Sequence, residues 1–161
     1  VVVFRLFNTV GPRQTGQYGM VVPRFVRQAV GGEKSTIYGD GEQRRCFCNV
    51  KDVVRAIVGL ADSPDAVGGI FNIGSNEEIS ILDLARRVLQ VAEAEGHGAA
   101  GDGDERIVFV PYEEAYESGF EDMQRRVPDT TRIKGAIGWS AETDLDETLA
   151  EIVRHIAAEQ S

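Results

Sequence analysis

The chain's 161 residues are enough for one domain with its own core. Apolar residues make up 42% and charged residues 27%, ordinary globular usage that excludes disorder and fibrous repeats. With 26 acidic against 17 basic side chains the net charge is −9, which argues against nucleic acid or a membrane surface as partner, since both call for a basic face. No apolar run approaches the roughly 20 residues of a membrane span. Two cysteines, Cys46 and Cys48, do not make a secreted disulfide framework, and no signal-peptide pattern is visible. A cytoplasmic protein is expected.

Val1-Val2-Val3-Phe4 opens without an initiator Met and resembles the inside of a parallel strand covered on both faces. Such a strand needs neighbours, so a piece of something larger is expected. The strand, Val1–Phe7, ends at Asn8, and Gly11-Pro12 turns the chain. Val22, Phe25, Val26 and Ala29 fall at helical spacing and are closed by Gly31-Gly32. Ser35–Tyr38 is a short strand leading into the turn Gly39-Asp40-Gly41. Arg44–Val50 reads as one strand, with Cys46 and Cys48 on one face and Arg45, Phe47 and Asn49 on the other. A helix follows over about Lys51–Ala61, stopped by Ser63-Pro64, and Ile70–Ile73 is a strand.

Ser80 is placed to cap a helix running from Ile81 to about Ala94, where Leu84, Ala85, Val88 and Leu89 recur at helical spacing. Residues 95–105 read as loop and Ile107–Val110 as a strand. Tyr112–Arg126 is mixed and acidic. A helix starts near Pro128–Thr131, with Thr130 or Thr131 at its cap, and ends about Gly138-Trp139. The last helix covers about Leu145–Ala158. Alternating short strands and helices argue an α/β fold.

Gly96-His97-Gly98-Ala99-Ala100-Gly101 matches the dinucleotide fingerprint, but it follows a helix and runs into Asp102-Gly103-Asp104-Glu105, where phosphate would be repelled. It reads as loop. Cys46 and Cys48 lack the further ligands of a structural zinc site and read as buried free thiols. His155 reads as an ordinary helix residue, and the acidic pairs Glu113-Glu114 and Glu121-Asp122 as a solvated face. Arg5, Arg13, Arg44, Arg45, Arg125 and Arg126 stand at strand ends or turns of an otherwise acidic chain. Their planar forks could clamp a small anion such as phosphate, although an arginine taken singly is more often a surface residue or a salt-bridge partner.

Val3-Phe4-Arg5-Leu6-Phe7-Asn8-Thr9-Val10-Gly11-Pro12-Arg13 resembles the R-x-F-N-x-Y-G-P segment of the extended short-chain dehydrogenase/reductase family. Tyr38-Gly39-Asp40-Gly41-Glu42-Gln43-Arg44-Arg45 is similar to its Y-G-D-G-x-Q-x-R turn. Cys46–Val53, Phe71-Asn72-Ile73-Gly74, Arg126-Val127-Pro128-Asp129 and Ile137-Gly138-Trp139 follow in the family's order. Two positions depart from it: Val10 stands where many relatives have Tyr, and Asn49 where many have His.

The resemblance implies the C-terminal half of an extended Rossmann-type, NAD(P)-binding fold: the last sheet strands with a small mixed α/β substrate-binding lobe, residues 1–161 forming one domain and the N-terminal dinucleotide-binding half being absent. It implies a nucleotide-sugar site for a UDP- or dTDP-sugar. There Asn8 would hold the diphosphate or glycosyl side, Val22 and Pro23 would line the base pocket, and Tyr38 and Gly39 would lie by the base. Arg45 would reach ribose and phosphate, Arg126 would clamp the diphosphate, and Asp129 would accept from ribose hydroxyls. In the complete family enzyme NAD oxidises C4 of the sugar and takes part in its later re-reduction. A 4-epimerase is the leading expectation, with UDP-glucuronate decarboxylase and dTDP-glucose 4,6-dehydratase as alternatives.

The family's Tyr-x-x-x-Lys is missing. Four residues after Tyr18, Tyr38, Tyr112 and Tyr116 stand Val22, Glu42, Tyr116 and Phe120. No strand–G-x-x-G-x-x-G–helix occurs either, so the chain alone is expected to be catalytically incomplete and not to bind NAD. The competing expectation is a binding or oligomerisation module that self-associates through an open sheet edge, or one completed by a separate Rossmann half.

Overall fold

The computed structural model describes residues 1–15, 20–98, 103–111 and 123–160, and among them the chain forms nine strands and five α-helices. Strand β1 (Val3–Leu6) runs parallel to β6 (Ile70–Ile73), Val3 lying opposite Ile70 and Leu6 opposite Ile73. Side chains alternate along a strand, so Phe71 and Ile73 share one face of β6. They bury there with Val53, Ala56 and Leu60 of α2 (Val50–Asp62), Ile133 of α4 (Thr131–Ile137) and Trp139.

The strand expected over Val1–Phe7 forms over Val3–Leu6, without the covering on both faces that its apolar run suits. β1 is exposed along its whole length, Val3 at 47% and Leu6 at 49%, because β6 is its one strand neighbour among the described residues.

The second core gathers α1 (Val21–Val30), α3 (Ile81–Ala94) and α5 (Leu145–Gln160) against β3 (Ser35–Tyr38). The helical spacing read from the sequence is what buries: Val22, Phe25, Val26 and Ala29 from α1, and Leu84, Ala85, Val88 and Leu89 from α3. Pro23 sits in the first turn of α1, where its missing N–H costs nothing. β3 pairs in parallel with β8 (Ile107–Val110).

The expected single strand over Arg44–Val50 divides at Phe47. β4 (Arg44–Cys46) lies between antiparallel β7 (Glu78–Ser80) and parallel β9 (Arg125–Arg126), whereas β5 (Cys48–Asn49) pairs with β2 (Thr9–Val10). The chain changes partner at Phe47, and the expected alternation ends there: Asn49 is buried, as are both cysteines. Asn49 caps α2, accepting from Lys51 N–H at 2.8 Å, and donates to Thr148 of α5 at 3.2 Å. Both thiols are free, and burial, reinforced by the Asp52 charge, pushes Cys48 up to about 12.

Ser80 caps α3 as expected, its hydroxyl accepting from Asp83 N–H at 3.0 Å. At α4 the cap falls to a neighbour of the expected threonines. Asp129 Oδ1 accepts from Thr131 N–H at 2.9 Å, while Thr130 makes no side-chain cap bond. No helix among the described residues is long and apolar enough to cross a membrane. Gly16, Tyr18, Gly19, Tyr112, Glu113, Glu114, Tyr116, Glu121 and Asp122 lie outside the described residues.

Candidate functional site

Parallel pairing of β4 with β9 sets Arg44 opposite Arg125 and Arg45 opposite Arg126. Successive side chains point to opposite faces, so the register sends one arginine pair to each side. Glu78 takes the first pair, accepting from Arg44 Nε at 2.6 Å and from Arg125 at 2.8 Å. The hydrogen bond from Arg125, with that from Arg44, holds the Glu78 carboxyl below its ordinary range. That face is electrostatically settled. Arg45 and Arg126 project from the other, where Arg45 NH1 donates to the Arg44 carbonyl at 2.8 Å.

Asn8 meets Arg126 on this second face. The Arg126 guanidinium donates to Asn8 Oδ1, and Asn8 Nδ2 donates to the Cys46 carbonyl at 2.8 Å. The Asn8 amide thus ties the end of β1 to both β4 and β9. Its backbone lies at φ +36, a region asparagine tolerates better than most residues. Arg126 Nε is shielded from water and has no hydrogen-bond partner among the described residues.

Gly74 lets these segments converge. A Cβ there would lie 2.8 Å from Phe7 Cβ and 3.0 Å from Pro128 Cγ, so only glycine fits between the end of β1 and the segment after β9. The cluster stands at the carboxyl ends of parallel β1 and β6, where open α/β sheets bind ligands.

The other expected residues form separate groups. Asp129 turns toward α4, whose Thr131 contacts lower its carboxyl below the usual range, and its carbonyl accepts from Asn72 Nδ2 at 3.0 Å. Tyr38 and Gly39 end β3, Gly39 at φ +75 with its N–H donating to Val110 O at 2.9 Å. Pro23 is buried and Val22 lies inside the α1–α3–α5 core at 1% exposure.

Two residues were not singled out from sequence. Arg24 stacks on the Tyr38 ring at 4.4 Å and donates to Thr36 O at 3.1 Å, and Glu78 holds the opposite arginine face. Arg24 directly follows Pro23 on a polar helix face, a weak signal, and Glu78 belongs to a three-residue strand too short to show a period.

A groove of about 710 Å³ opens beside Gly74, between Asn76, Thr130, Lys134 and Asp144, and none of the eight expected site residues lines it. Gly96 and Gly98 follow α3 rather than a strand, so the fingerprint-like stretch lacks the strand–turn–helix geometry that would hold a pyrophosphate. Residues 99–102 of it lie outside the described residues.

A model of the family described as GDP-mannose 4,6 dehydratase matches residues 1–152. The chain belongs to that family. Its resemblance to the extended short-chain dehydrogenase/reductases is thereby confirmed. Over 155 residues the chain is 36% identical to UDP-N-acetyl-alpha-D-glucosaminuronate decarboxylase of Bacillus cytotoxicus, covering 96% of this chain and 45% of that protein. It is also 36% identical to UDP-glucuronic acid decarboxylase 1 of Xenopus tropicalis over 157 residues, covering 98% of this chain and 33% of the relative. The crystal structure of UDP-glucose 4-epimerase with UDP-glucose from Thermotoga maritima superposes with a TM-score of 0.78 at 29% identity, over 99% of this chain and 46% of that one. The chain thus spans less than half the length of these relatives, and the mixed α/β architecture with parallel strands is that of part of the family fold.

Proposed function

We propose that this chain is the nucleotide-sugar-binding part of a cytoplasmic, NAD-dependent enzyme acting at C4 of a UDP-sugar. The observation that carries it is the face on which Arg45 and Arg126 project beside Asn8, while Glu78 neutralises Arg44 and Arg125 behind them. A diphosphate needs converging guanidinium forks, and Arg45 and Arg126 lie side by side in the register of β4 and β9. Tyr38 and Gly39 are assigned to the base, and Asp129, whose Oδ1 already caps α4, to a ribose hydroxyl through its second oxygen, while Val22 and Pro23 are buried in α1 and support the base site from behind.

The residues present do not fit NAD. The sequence has neither the Tyr-x-x-x-Lys pair nor the strand–G-x-x-G-x-x-G–helix, so the hydride chemistry is assigned to residues beyond this sequence and binding to this chain. Two relatives at 36% identity are decarboxylases, which supports a UDP-linked sugar acid as substrate. A C4 ketone stands β to the C5 carboxylate of such a sugar, the arrangement from which carbon dioxide is lost. The 4-epimerase first expected from sequence is the second reading, supported by the 29% identical UDP-glucose 4-epimerase structure. The exposed strand β1 supports a third role, as an assembly module or the partner of a separate Rossmann half.

Calorimetric titration of the chain with UDP, and with NAD as control, tests the proposal. Saturable UDP binding is expected, weakened about tenfold or more by Arg45→Ala and by Arg126→Ala, since a hydrogen bond to a charged group is worth roughly 1.5–3 kcal/mol. Affinity unchanged from the parent in both variants overturns it. A concentration-dependent oligomer on gel filtration without UDP affinity favours assembly instead.

A further inference from the structure

The turn leaving β2 carries an arginine where its geometry favours glycine. Gly11-Pro12-Arg13-Gln14 closes with Gln14 N–H donating to Gly11 O at 3.4 Å, and Arg13 stands at φ +66 directly after the proline. Proline followed by a positive φ is the pattern of a type II turn, whose third position takes Gly or Asn because a Cβ is strained there. A long charged side chain held at that position points to a use for the side chain itself.

That turn walls a small cleft. Arg13, Gln14 and Thr15 line one side, Arg27 of α1 another, and His155 and Glu159 of α5 the third, enclosing about 80 Å³. The Arg13 and Arg27 side chains make no hydrogen bond or ion pair among the described residues. His155 Nε2 is shielded from water and lies 3.3 Å from Glu159 Oε1 without a hydrogen bond to it. Two guanidinium groups and an imidazole thus face one carboxylate, a net positive concavity in a chain of net charge −9. The volume is far below the roughly 300–1,000 Å³ of sites for larger organic ligands.

We propose that this cleft binds a small oxyanion, a phosphate group, on Arg13, Arg27 and His155. The site shares no residue with the Asn8–Arg45–Arg126 cluster and goes beyond the function proposed above. Arginine forks supply the paired donors that phosphate oxygens accept, and His155 lies on the wall beside them.

Proton NMR of the two histidines, assigned with His97→Gln, reads the site during titration with inorganic phosphate at constant ionic strength. A saturable shift of His155 with His97 unmoved is expected. Arg13→Gly suits the turn and preserves the fold, and it should weaken phosphate about tenfold, as should Arg27→Ala. A His155 response that fails to saturate, that chloride reproduces, or that survives Arg13→Gly unchanged overturns the proposal. Arg126→Ala should leave the response intact, so failure of the nucleotide-sugar reading is separable from failure of this one. In that Arg126→Ala background, tighter binding of UMP than of phosphate identifies a nucleotide's terminal phosphate as the source, and the reverse identifies the free ion.

Discussion

Asn8 and Arg126 stand 118 residues apart in the chain and share a hydrogen bond, the guanidinium donating to the side-chain carbonyl. The Asn8 amide nitrogen is already committed to the Cys46 carbonyl, so Asn8 acts on Arg126 as a fixed acceptor that sets the direction of its fork. Asn8 was expected to hold ligand directly. The structure gives its amide a positioning geometry as well, and the two roles are separable by mutation.

Asn8→Ala should weaken UDP about three- to tenfold, less than Arg126→Ala, because the guanidinium survives but loses its orientation, a loss of about one hydrogen bond. Calorimetric titration of both variants checks the order. An Asn8→Ala defect larger than that of Arg126→Ala would show direct contact with ligand instead.

Glu78→Gln tests whether the register sorts the arginines by function. It releases Arg44 and Arg125, but on the face away from Asn8. UDP affinity should stay within about twofold of the parent, since exposed ion pairs of this kind contribute little. A marked gain in UDP affinity would mean that the two faces are not separate.

Gly74→Ala should be costly although it removes no charge and no hydrogen-bonding side chain. The new Cβ meets Phe7 Cβ at 2.8 Å and Pro128 Cγ at 3.0 Å, neither of them a flexible side-chain end. Overpacking of this kind costs about 1–3 kcal/mol. It should also separate Asn8 from Arg126, so thermal melts and UDP titrations should fall together.

Asp52 sets an acid limit on stability. Burial by itself would raise its pKa, but the Arg55 hydrogen bond and the backbone N–H groups of Thr143 and Glu142 outweigh burial and bring it below the ordinary value. A carboxyl lowered in the folded state stabilises above its unfolded value of about 3.9, and that contribution is lost as pH falls through the lower folded value. Thermal melts from pH 7 to pH 3 should therefore drop steeply below about pH 4. Asp52→Asn should flatten that limb and cost about 1–3 kcal/mol at pH 7, where an amide replaces a buried acceptor of two N–H groups.

The sequence by itself determined the elements whose periodicity runs for several turns or alternations. Val22–Ala29, Leu84–Leu89 and Leu145–Ile156 announce helices because a buried face must recur every 3.6 residues, and Ser80 announces a cap because a hydroxyl there has an orphan N–H to accept. The family was legible too, since Arg5–Arg13, Tyr38–Arg45 and Arg126–Asp129 keep their residue types in order. Only the tertiary structure decided which arginines share a face with Asn8 and which with Glu78. Strands β4, β7 and β9 have two or three residues each, too few to show a period, and their pairing joins segments distant in the chain, Arg44 lying opposite both Ser80 and Arg125. Register is a property of two strands together, so no single stretch of sequence carries it. Val1–Phe7 shows the same limit: its apolar pattern records what a strand is suited to pack against, while its exposure depends on which neighbours stand beside it.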